Sequence, residues 1–353
     1  MLGSNSALGD STLNTAAGTT LDANTAISLN NLINLAGNTA VGGSANLTLN
    51  NLLSGSGGLV KQGAATLTLN AANTYQGATT LQGGTLLLGN SLALSSGALN
   101  VAGAGSVDSS SAINLANQIN LNAGLTLGGS AEQTLSGVIG GSGSLIKSGA
   151  GNLNLSGANT FVGGTVLNAG TLTVGNAGAL GSGRLTVAGA GNLNTNGVFA
   201  LGNAITLGAD LSLTGHDDLT LNGVIDGSAA LIKKGAGNLT LNGINNYHGG
   251  TVLSAGKLTL GSGNALGSGT LNVTGASILD TGIASTLNNA IALNADLNLS
   301  GASALNLGGA ISGAGSLTKA GLADLTLSGV NTFSGALNIL AGNVNTLGGA
   351  ALG

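Results

Sequence analysis

The strongest constraint on this chain is that its sequence repeats every 86 residues, through four copies and without a gap. The copy from Lys147 to Gly175 reads KSGAGNLNLSGANTFVGGTVLNAGTLTVG. A lysine, a glycine, an asparagine and an aromatic residue recur in register. These residues are Lys61, Lys147, Lys233, Lys319, Gly63, Gly149, Gly235, Gly321, Asn73, Asn159, Asn245, Asn331, Tyr75, Phe161, Tyr247 and Phe333. Self-similarity at a fixed period indicates a repeat architecture, in which each unit buries its apolar face against its neighbours.

Composition favours strands and turns over disorder. The 353 residues include 66 glycines and no proline, and 42% of them are hydrophobic, whereas disorder goes with low hydrophobicity and high charge. Short alternating apolar runs are separated by Gly, Asn and Ser, which is typical of strands and turns. Each period divides into four segments of about 20 residues, the length of one coil of a parallel β-helix. We therefore predict an all-β, single-stranded parallel β-helix (a β-solenoid) of about 16 coils, in four 86-residue repeats.

The repeat also sets the expected domain organisation. We predict a single β-solenoid over residues 1–353, with a partial repeat over 1–54 and repeats that start near residues 55, 141, 227 and 313. The sequence opens in the middle of a repeat and shows no distinct cap at either end. Bare end coils expose unpaired edges, so we expect either a piece of a longer solenoid or chains that stack end to end.

Strand geometry assigns the repeated side chains to the core or to the surface. Successive residues of a strand point to opposite faces, so Leu153 and Leu155 should face the core. The same argument places four more leucines in the core: Leu239, Leu241, Leu325 and Leu327. We expect the repeated asparagines at corners, in the left-handed backbone that Gly and Asn tolerate best, with side chains that bond neighbouring turns. Equivalent residues should lie four coils apart, with the aromatics packed over a corner and the lysines on a solvated edge.

Charge and cysteine content exclude several classes of function. The net charge is -4 and the basic residues are scattered singly, so we expect no nucleic-acid partner and no anionic membrane surface. The absence of cysteine excludes disulfides and thiolate metal sites. Met1 to Ser4 lack the basic and apolar regions of an export signal, and no apolar run reaches about 18 residues. We predict no cofactor, no metal and no catalytic residue.

The segment from Lys147 to Gly175 closely resembles the autotransporter-associated β-strand repeat, also called the passenger-associated transport repeat. The resemblance covers Leu59 to Gly89, Leu145 to Gly175, Leu231 to Gly261 and, more loosely, Leu317 to Gly342. It implies a right-handed parallel β-helix of a type V secretion passenger domain, extracellular and on the surface of a Gram-negative bacterium. It also implies a stalk whose stepwise folding outside the cell aids secretion. We expect residues 1–353 to include neither that family's signal peptide nor its outer-membrane translocator barrel, and no protease triad is recognisable among them.

The chemistry-bearing residues are sparse. The single acidic cluster is His216, Asp217 and Asp218, with Asp226 eight residues later. We interpret it as a polar loop, and at most as a fortuitous ion site. His248 follows an aromatic residue in a turn and has no partners for nucleophilic catalysis. The repeated aromatics are too far apart for one sugar chain to contact them continuously, and a threonine ladder that would bind ice fails at its first repeat.

Three hypotheses follow from these patterns. The first is a non-catalytic structural and adhesive rod of an autotransporter passenger, active in adhesion, aggregation or biofilm formation. Its partners would be other copies of itself, or glycans or proteins of host or bacterial surfaces. The second is a filament subunit assembled by end-to-end stacking. The third, an enzyme that cleaves glycans, depends on fold analogy and on the acidic cluster alone.

Overall fold

The computed structural model describes residues 1–347 and separates the chain into two compact units, Met1–Gly183 and Arg184–Gly353. All regular elements in the described part are β-strands of two to five residues. Within it, no helix has the length and apolarity that crossing a membrane requires. The prediction of one solenoid over the whole chain stays a prediction, and each unit is described by itself below.

The first unit contains strands β1 to β22. They are β1 (Leu13–Thr15), β2 (Thr20–Leu21), β3 (Ile27–Leu29), β4 (Ile33–Leu35), β5 (Thr39–Val41), β6 (Leu47–Leu49), β7 (Leu53–Ser54), β8 (Leu59–Lys61), β9 (Thr66–Leu69), β10 (Thr79–Leu81), β11 (Thr85–Leu88), β12 (Leu99–Val101), β13 (Gly105–Ser109), β14 (Ile113–Leu115), β15 (Ile119–Leu121), β16 (Leu125–Leu127), β17 (Gln133–Leu135), β18 (Ile139–Gly141), β19 (Leu145–Lys147), β20 (Asn152–Leu155), β21 (Thr165–Leu167) and β22 (Thr171–Val174). They pair in parallel in the orders β1-β4-β7, β2-β5-β8-β10-β12-β15-β18, β3-β6-β9-β11-β13-β16-β19-β21 and β14-β17-β20-β22.

The second unit contains strands β23 to β44. They are β23 (Leu185–Val187), β24 (Gly191–Thr195), β25 (Phe199–Leu201), β26 (Ile205–Leu207), β27 (Leu211–Leu213), β28 (Leu219–Leu221), β29 (Ile225–Gly227), β30 (Leu231–Lys233), β31 (Leu239–Leu241), β32 (Thr251–Leu253), β33 (Lys257–Leu260), β34 (Leu271–Val273), β35 (Ser277–Thr281), β36 (Ser285–Leu287), β37 (Ile291–Leu293), β38 (Leu297–Leu299), β39 (Leu305–Leu307), β40 (Ile311–Gly313), β41 (Leu317–Lys319), β42 (Leu325–Leu327), β43 (Leu337–Ile339) and β44 (Val344–Thr346). They pair in parallel in the orders β23-β26-β29, β24-β27-β30-β32-β34-β37-β40, β25-β28-β31-β33-β35-β38-β41-β43 and β36-β39-β42-β44.

Each strand pairs with the strand one turn of chain further on. Thr79 pairs with Leu99, and Leu125 pairs with Leu145, so a turn takes 20 residues at these positions. Three strands per turn, parallel pairing and stacked turns confirm the predicted β-solenoid, and the two units hold about 17 turns between them. The predicted number was about 16, close to the observed one.

The core of each unit is built from the inward residues of these strands. The leucines assigned to the core by alternation are at most 1% exposed: Leu153, Leu155, Leu239, Leu241, Leu325 and Leu327. Nearly every short strand has a buried residue on each side of a more exposed one, as in β6 and β31. Alternation in the sequence thus predicts the core correctly, because side chains of a strand alternate between its two faces.

The repeat and the turn have different lengths, and this mismatch corrects one expectation. With 20 residues in a turn, an 86-residue repeat spans four and a third turns. Lys61 ends β8 and Lys147 ends β19, which lie in different sheets of the first unit. In the second unit, Lys233 ends β30 and Lys319 ends β41, again in different sheets. The expected stacking of equivalent residues four coils apart is therefore wrong within each unit, because the extra third of a turn moves each copy to another sheet.

Candidate functional site

The repeated lysines lie in the core and not on a solvated edge, so that expectation is wrong. Lys61, Lys147, Lys233 and Lys319 are 1 to 3% exposed. Each is the last residue of a strand and occupies an inward position, so its aliphatic stem packs with the core leucines. The side chain is long enough to carry the ammonium group to the corner that follows the strand.

Backbone carbonyl groups bind each ammonium group at the corner. Lys61 Nζ donates to the carbonyl oxygens of Gln62 at 2.6 Å, Gly63 at 2.9 Å and Gly83 at 3.3 Å. The other lysines each donate to two carbonyls, which belong to Gly149 and Ala169, Gly235 and Ala255, and Gly321 and Ala341. Burial lowers the pKa of Lys61, Lys147 and Lys233, and for Lys233 the charge of Asp218 opposes that shift. The lysine thus joins two successive turns by hydrogen bonds from a charged donor.

Glycines lie on both sides of each ammonium group. The repeated glycines Gly63, Gly149, Gly235 and Gly321 supply one of the acceptor carbonyls. One turn later, Gly84, Gly170, Gly256 and Gly342 have φ between +68° and +75°. A Cβ atom at any of these four would lie 2.7 Å from the lysine Nζ. These four positions combine a left-handed backbone with close approach of a side chain, which only glycine permits without strain.

The repeated asparagines bridge three successive turns. Asn73 Oδ1 accepts from the Leu53 backbone N–H at 2.8 Å, and its Nδ2 donates to the Ala93 carbonyl at 2.7 Å. Asn159 and Asn245 make the equivalent pair of bonds, and Asn331 Oδ1 accepts from Ile311 N–H at 2.9 Å. All four are buried. Their expected left-handed backbone is wrong, since Ser95 is the one non-glycine residue with positive φ in residues 1–347.

The repeated aromatic rings are buried and cannot stack on a sugar. Tyr75, Phe161 and Tyr247 are 0% exposed and Phe333 is 5% exposed. The hydroxyl groups of Tyr75 and Tyr247 each bond a threonine hydroxyl four residues later, Thr79 at 2.5 Å and Thr251 at 2.6 Å. Burial raises the pKa of both tyrosines to about 12, against a smaller lowering by the threonine bond.

The second copy breaks this aromatic–threonine pair. Phe161 replaces the tyrosine, but Thr165 is still present, and the Thr165 hydroxyl is buried without a hydrogen-bond partner in the protein. In the fourth copy both members change together, because Phe333 is followed four residues later by Leu337. Only the second copy therefore combines the phenylalanine with the threonine.

The acidic cluster does not come together as a site. Asp218 Oδ1 caps the next turn by accepting from Asn238 N–H at 2.8 Å. Asp226 lies on β29 in another sheet and forms an ion pair with Arg184 at 2.7 Å. Desolvation raises the pKa of Asp226, but the hydrogen bonds with Thr206 and Arg184 and the charge of Arg184 together lower it by more, so the net effect is a lowered pKa. His216 and Asp217 are exposed. Among the described residues there is no group of three or more His, Cys, Asp or Glu side chains placed to hold a metal ion.

Comparison with known families assigns these positions to one repeat type. The passenger-associated-transport-repeat model matches residues 59–88, 145–174, 231–260 and 317–345. Four segments of the chain thus match the passenger-associated transport repeat. Each begins at the strand that ends in the buried lysine. Such repeats are associated with autotransporter passengers, which are secreted to the cell surface. No curated protein and no solved structure matches the chain.

Two further columns of polar residues recur between the transport repeats, and the sequence reasoning missed both. In the first column, buried asparagines hold a turn through two carbonyl groups. Asn31 Nδ2 donates to Gly9 and Ser11, and Asn117 and Asn289 repeat the arrangement with the pairs Ser95 and Gly97, and Gly267 and Gly269. In the second column, a side-chain oxygen accepts from the next backbone N–H at Asp22, Asp108, Asn194 and Asp280. The 86-residue shift that aligned the lysines aligns these residues too, so the sequence contained the information needed to find both columns.

Proposed function

We propose that the chain is a non-catalytic structural rod segment of an autotransporter passenger, displayed on the cell surface or shed from it. It would work in adhesion, aggregation or biofilm formation, and its repeats would aid secretion and folding. One observation supports this most directly: the polar groups that recur in the transport repeats are buried and bond other groups of the protein. The lysine, asparagine and tyrosine groups bond backbone or neighbouring side chains, and none is presented to solvent as a reactive group.

The outer surface suits weak contacts in several directions. Outward asparagines bond one another along a sheet, as Asn70 does with Asn50 at 2.7 Å and Asn50 with Asn30 at 2.8 Å. Because each repeat within a unit moves to another sheet, equivalent outward residues do not build one flat ladder of like side chains. Such a surface favours many small contacts with other copies, glycans or proteins over tight binding to a crystalline lattice.

Burial of the lysines makes the surface more acidic than the formal charge of -4 indicates. Four of the seven basic side chains are buried, so Arg184, Lys234 and Lys257 are the basic groups that face solvent, against eleven acids. Like charges on two approaching chains repel each other, and salt screens that repulsion. If the chain self-associates, we expect association to strengthen as salt rises from low to physiological concentration.

Surface display on cells that lack other adhesins tests the proposed function. The chain is fused to a translocator barrel and compared with a barrel that carries no passenger, and cell settling and biofilm mass are measured at two salt concentrations. Faster settling with the chain, stronger at the higher salt, supports the proposal. Display without any gain in settling, biofilm or binding to immobilised glycans would count against it. Filaments of the purified chain in electron microscopy would favour end-to-end assembly, and cleavage of a polysaccharide would favour an enzyme.

A further inference from the structure

The corner around Lys233 borders a half-open cavity of about 20 Å³. Its lining includes Thr195, Gly215, Asp217, Lys233 and Asn238. Gly215 leaves room there, since a Cβ at that position would lie 2.9 Å from Thr195 Oγ1. All of these residues belong to the second unit. None of the functions considered above uses this cavity.

Two polar groups at the cavity have unused hydrogen-bonding capacity. Thr195 is 6% exposed, and its hydroxyl is buried without a hydrogen-bond partner in the protein. A lysine ammonium group has three N–H donors. Lys233 uses two of them, on the carbonyls of Gly235 and Ala255. A buried hydroxyl and a buried charged N–H that both lack a partner are costly, so a molecule that satisfies both is favoured.

The first repeat provides a natural comparison. Ala23 occupies the position equivalent to Thr195, and Lys61 occupies the position equivalent to Lys233. Where the hydroxyl is replaced by a methyl group, the lysine donates to three carbonyls. Where the hydroxyl is present, the lysine donates to two. The number of hydrogen bonds that the lysine donates to carbonyl groups thus changes together with the residue at the position of Thr195.

We propose that the Lys233 cavity binds a single water molecule, which accepts a hydrogen bond from Lys233 Nζ and bonds the Thr195 hydroxyl. The volume suffices, because an internal water needs about 10 to 15 Å³ measured in this way and two or more polar partners. A metal cation is excluded by the ammonium charge beside it. A halide would face the carbonyl oxygens of the corner, with the acidic residue Asp217 in the cavity lining, so the neutral ligand is favoured.

The equivalent cavity in the fourth repeat, at Lys319, differs from the Lys233 cavity in two respects. The cavity at Lys319 measures about 10 Å³, and Thr281 Oγ1, equivalent to Thr195, already donates to the Ser303 carbonyl at 3.3 Å. The volume is at the threshold for a water and the hydroxyl has a partner in the protein. We therefore expect this cavity to be dry, although its lysine is as buried as Lys233.

A high-resolution crystal structure of the whole chain tests the proposal without any variant. We expect one water peak within hydrogen-bonding distance of both Lys233 Nζ and Thr195 Oγ1, and no such peak at Lys61 or Lys319. A dry Lys233 cavity would overturn the proposal. So would an anomalous peak there after growth in bromide, because it would show that the ligand is an anion.

Two substitutions test whether the Thr195 hydroxyl holds the water. Thr195→Ala reproduces the first repeat, so the water peak should be lost and Lys233 should take a third carbonyl. Thr195→Ser keeps the hydroxyl group, so the peak should remain. A water that persists unchanged in Thr195→Ala would show that the hydroxyl does not hold it and would refute the assignment. If Thr195→Ala does not fold, the comparison of Lys233 with Lys61 in the unmodified chain still decides.

Discussion

Phe161→Tyr should stabilise the protein, although it places a polar group in a fully buried position. In the first and third repeats a tyrosine hydroxyl bonds a threonine hydroxyl, as Tyr247 does with Thr251 at 2.6 Å. In the second repeat Phe161 is 0% exposed, and the threonine hydroxyl, on Thr165, is buried and unpaired. The substitution therefore restores a pair that the same corner already accommodates in two other copies.

The expected gain in stability follows from the hydrogen bond that the Thr165 hydroxyl lacks. A typical hydrogen bond contributes about 0.5 to 1.5 kcal/mol net, and a buried hydroxyl without a partner costs about 1 to 3 kcal/mol. The new tyrosine hydroxyl is itself removed from water, which offsets part of this. We expect Phe161→Tyr to raise the free energy of unfolding by about 1 to 2 kcal/mol. If the ring cannot shift to admit the oxygen, overpacking would reverse the sign and cost about 1 to 3 kcal/mol.

A double-mutant cycle with Thr165→Val measures the pair directly. Urea unfolding is followed by circular dichroism and by tyrosine fluorescence, which is readable because the chain has no tryptophan and two tyrosines. Alone, Thr165→Val should be neutral or stabilising, because it replaces an unpaired hydroxyl by a methyl group. Combined with Phe161→Tyr, it should be destabilising, because the new tyrosine hydroxyl loses its partner. As a matched control, Thr251→Val should destabilise the unmodified chain by leaving the Tyr247 hydroxyl unpaired.

The coupling energy decides the outcome. We expect the two changes to interact by about 0.5 to 3 kcal/mol, the range seen for contacting residues. If Thr165→Val had the same effect with Phe161 and with a tyrosine at that position, the hydroxyls would not be bonded. The prediction that a tyrosine at position 161 forms a hydrogen bond with Thr165 would then be wrong.

Three other predictions concern the buried polar residues of the repeats. Stability should fall between pH 10 and about 12, because burial raises the pKa of Tyr75 and Tyr247 to about 12 in the folded chain. Each tyrosine contributes about 3 kcal/mol to the free energy of unfolding; this contribution is fully present below pH 10 and is lost as the pH rises to about 12. Changing both to Phe should remove that fall in pH-dependent unfolding. Lys147→Met should cost about 1 to 3 kcal/mol in urea unfolding, since two carbonyls lose a charged donor, whereas exposed Lys234→Met should change stability by less than about 0.5 kcal/mol. Asn159→Ala should cost about 2 to 4 kcal/mol and speed hydrogen exchange at the Ile139 amide, and unchanged exchange there would contradict the bridging role.

The fold could be predicted from the sequence because its determinants are local and periodic. Alternation places Leu153 inward and Asn154 outward wherever the strand lies, and glycine, asparagine and serine mark the turns. The recurring segments of about 20 residues gave nearly the observed number of turns. What the alternation cannot give is the sheet on which a residue lies, since that requires the exact length of each turn. Equivalent residues were therefore expected in one column, whereas the structure distributes them over different sheets.

Burial of the lysines was missed because a lysine is almost never fully buried unless it is paired. The sequence nevertheless contained a usable signal in its own internal copies. The position after the lysine changes freely, through Gln62, Ser148, Lys234 and Ala320, and it is exposed or half-exposed in every copy. The lysine itself is the same in all four. A charged side chain that stays fixed beside a neighbour that varies is constrained by packing, and the carbonyl groups of the corner are the constraint.

The kind of partner explains which interactions the copies share. Each repeat of a unit lies on a different sheet from the one before, but its neighbours one turn away recur with it, since Lys61 pairs with Leu81 and Lys147 with Leu167. The interactions that every copy retains are made to backbone carbonyl and N–H groups, which every corner offers whatever its side chains are. Lysine and asparagine bond such groups, and both are present in all four copies. The tyrosine hydroxyl depends on another side chain, and it is the one that two copies have lost.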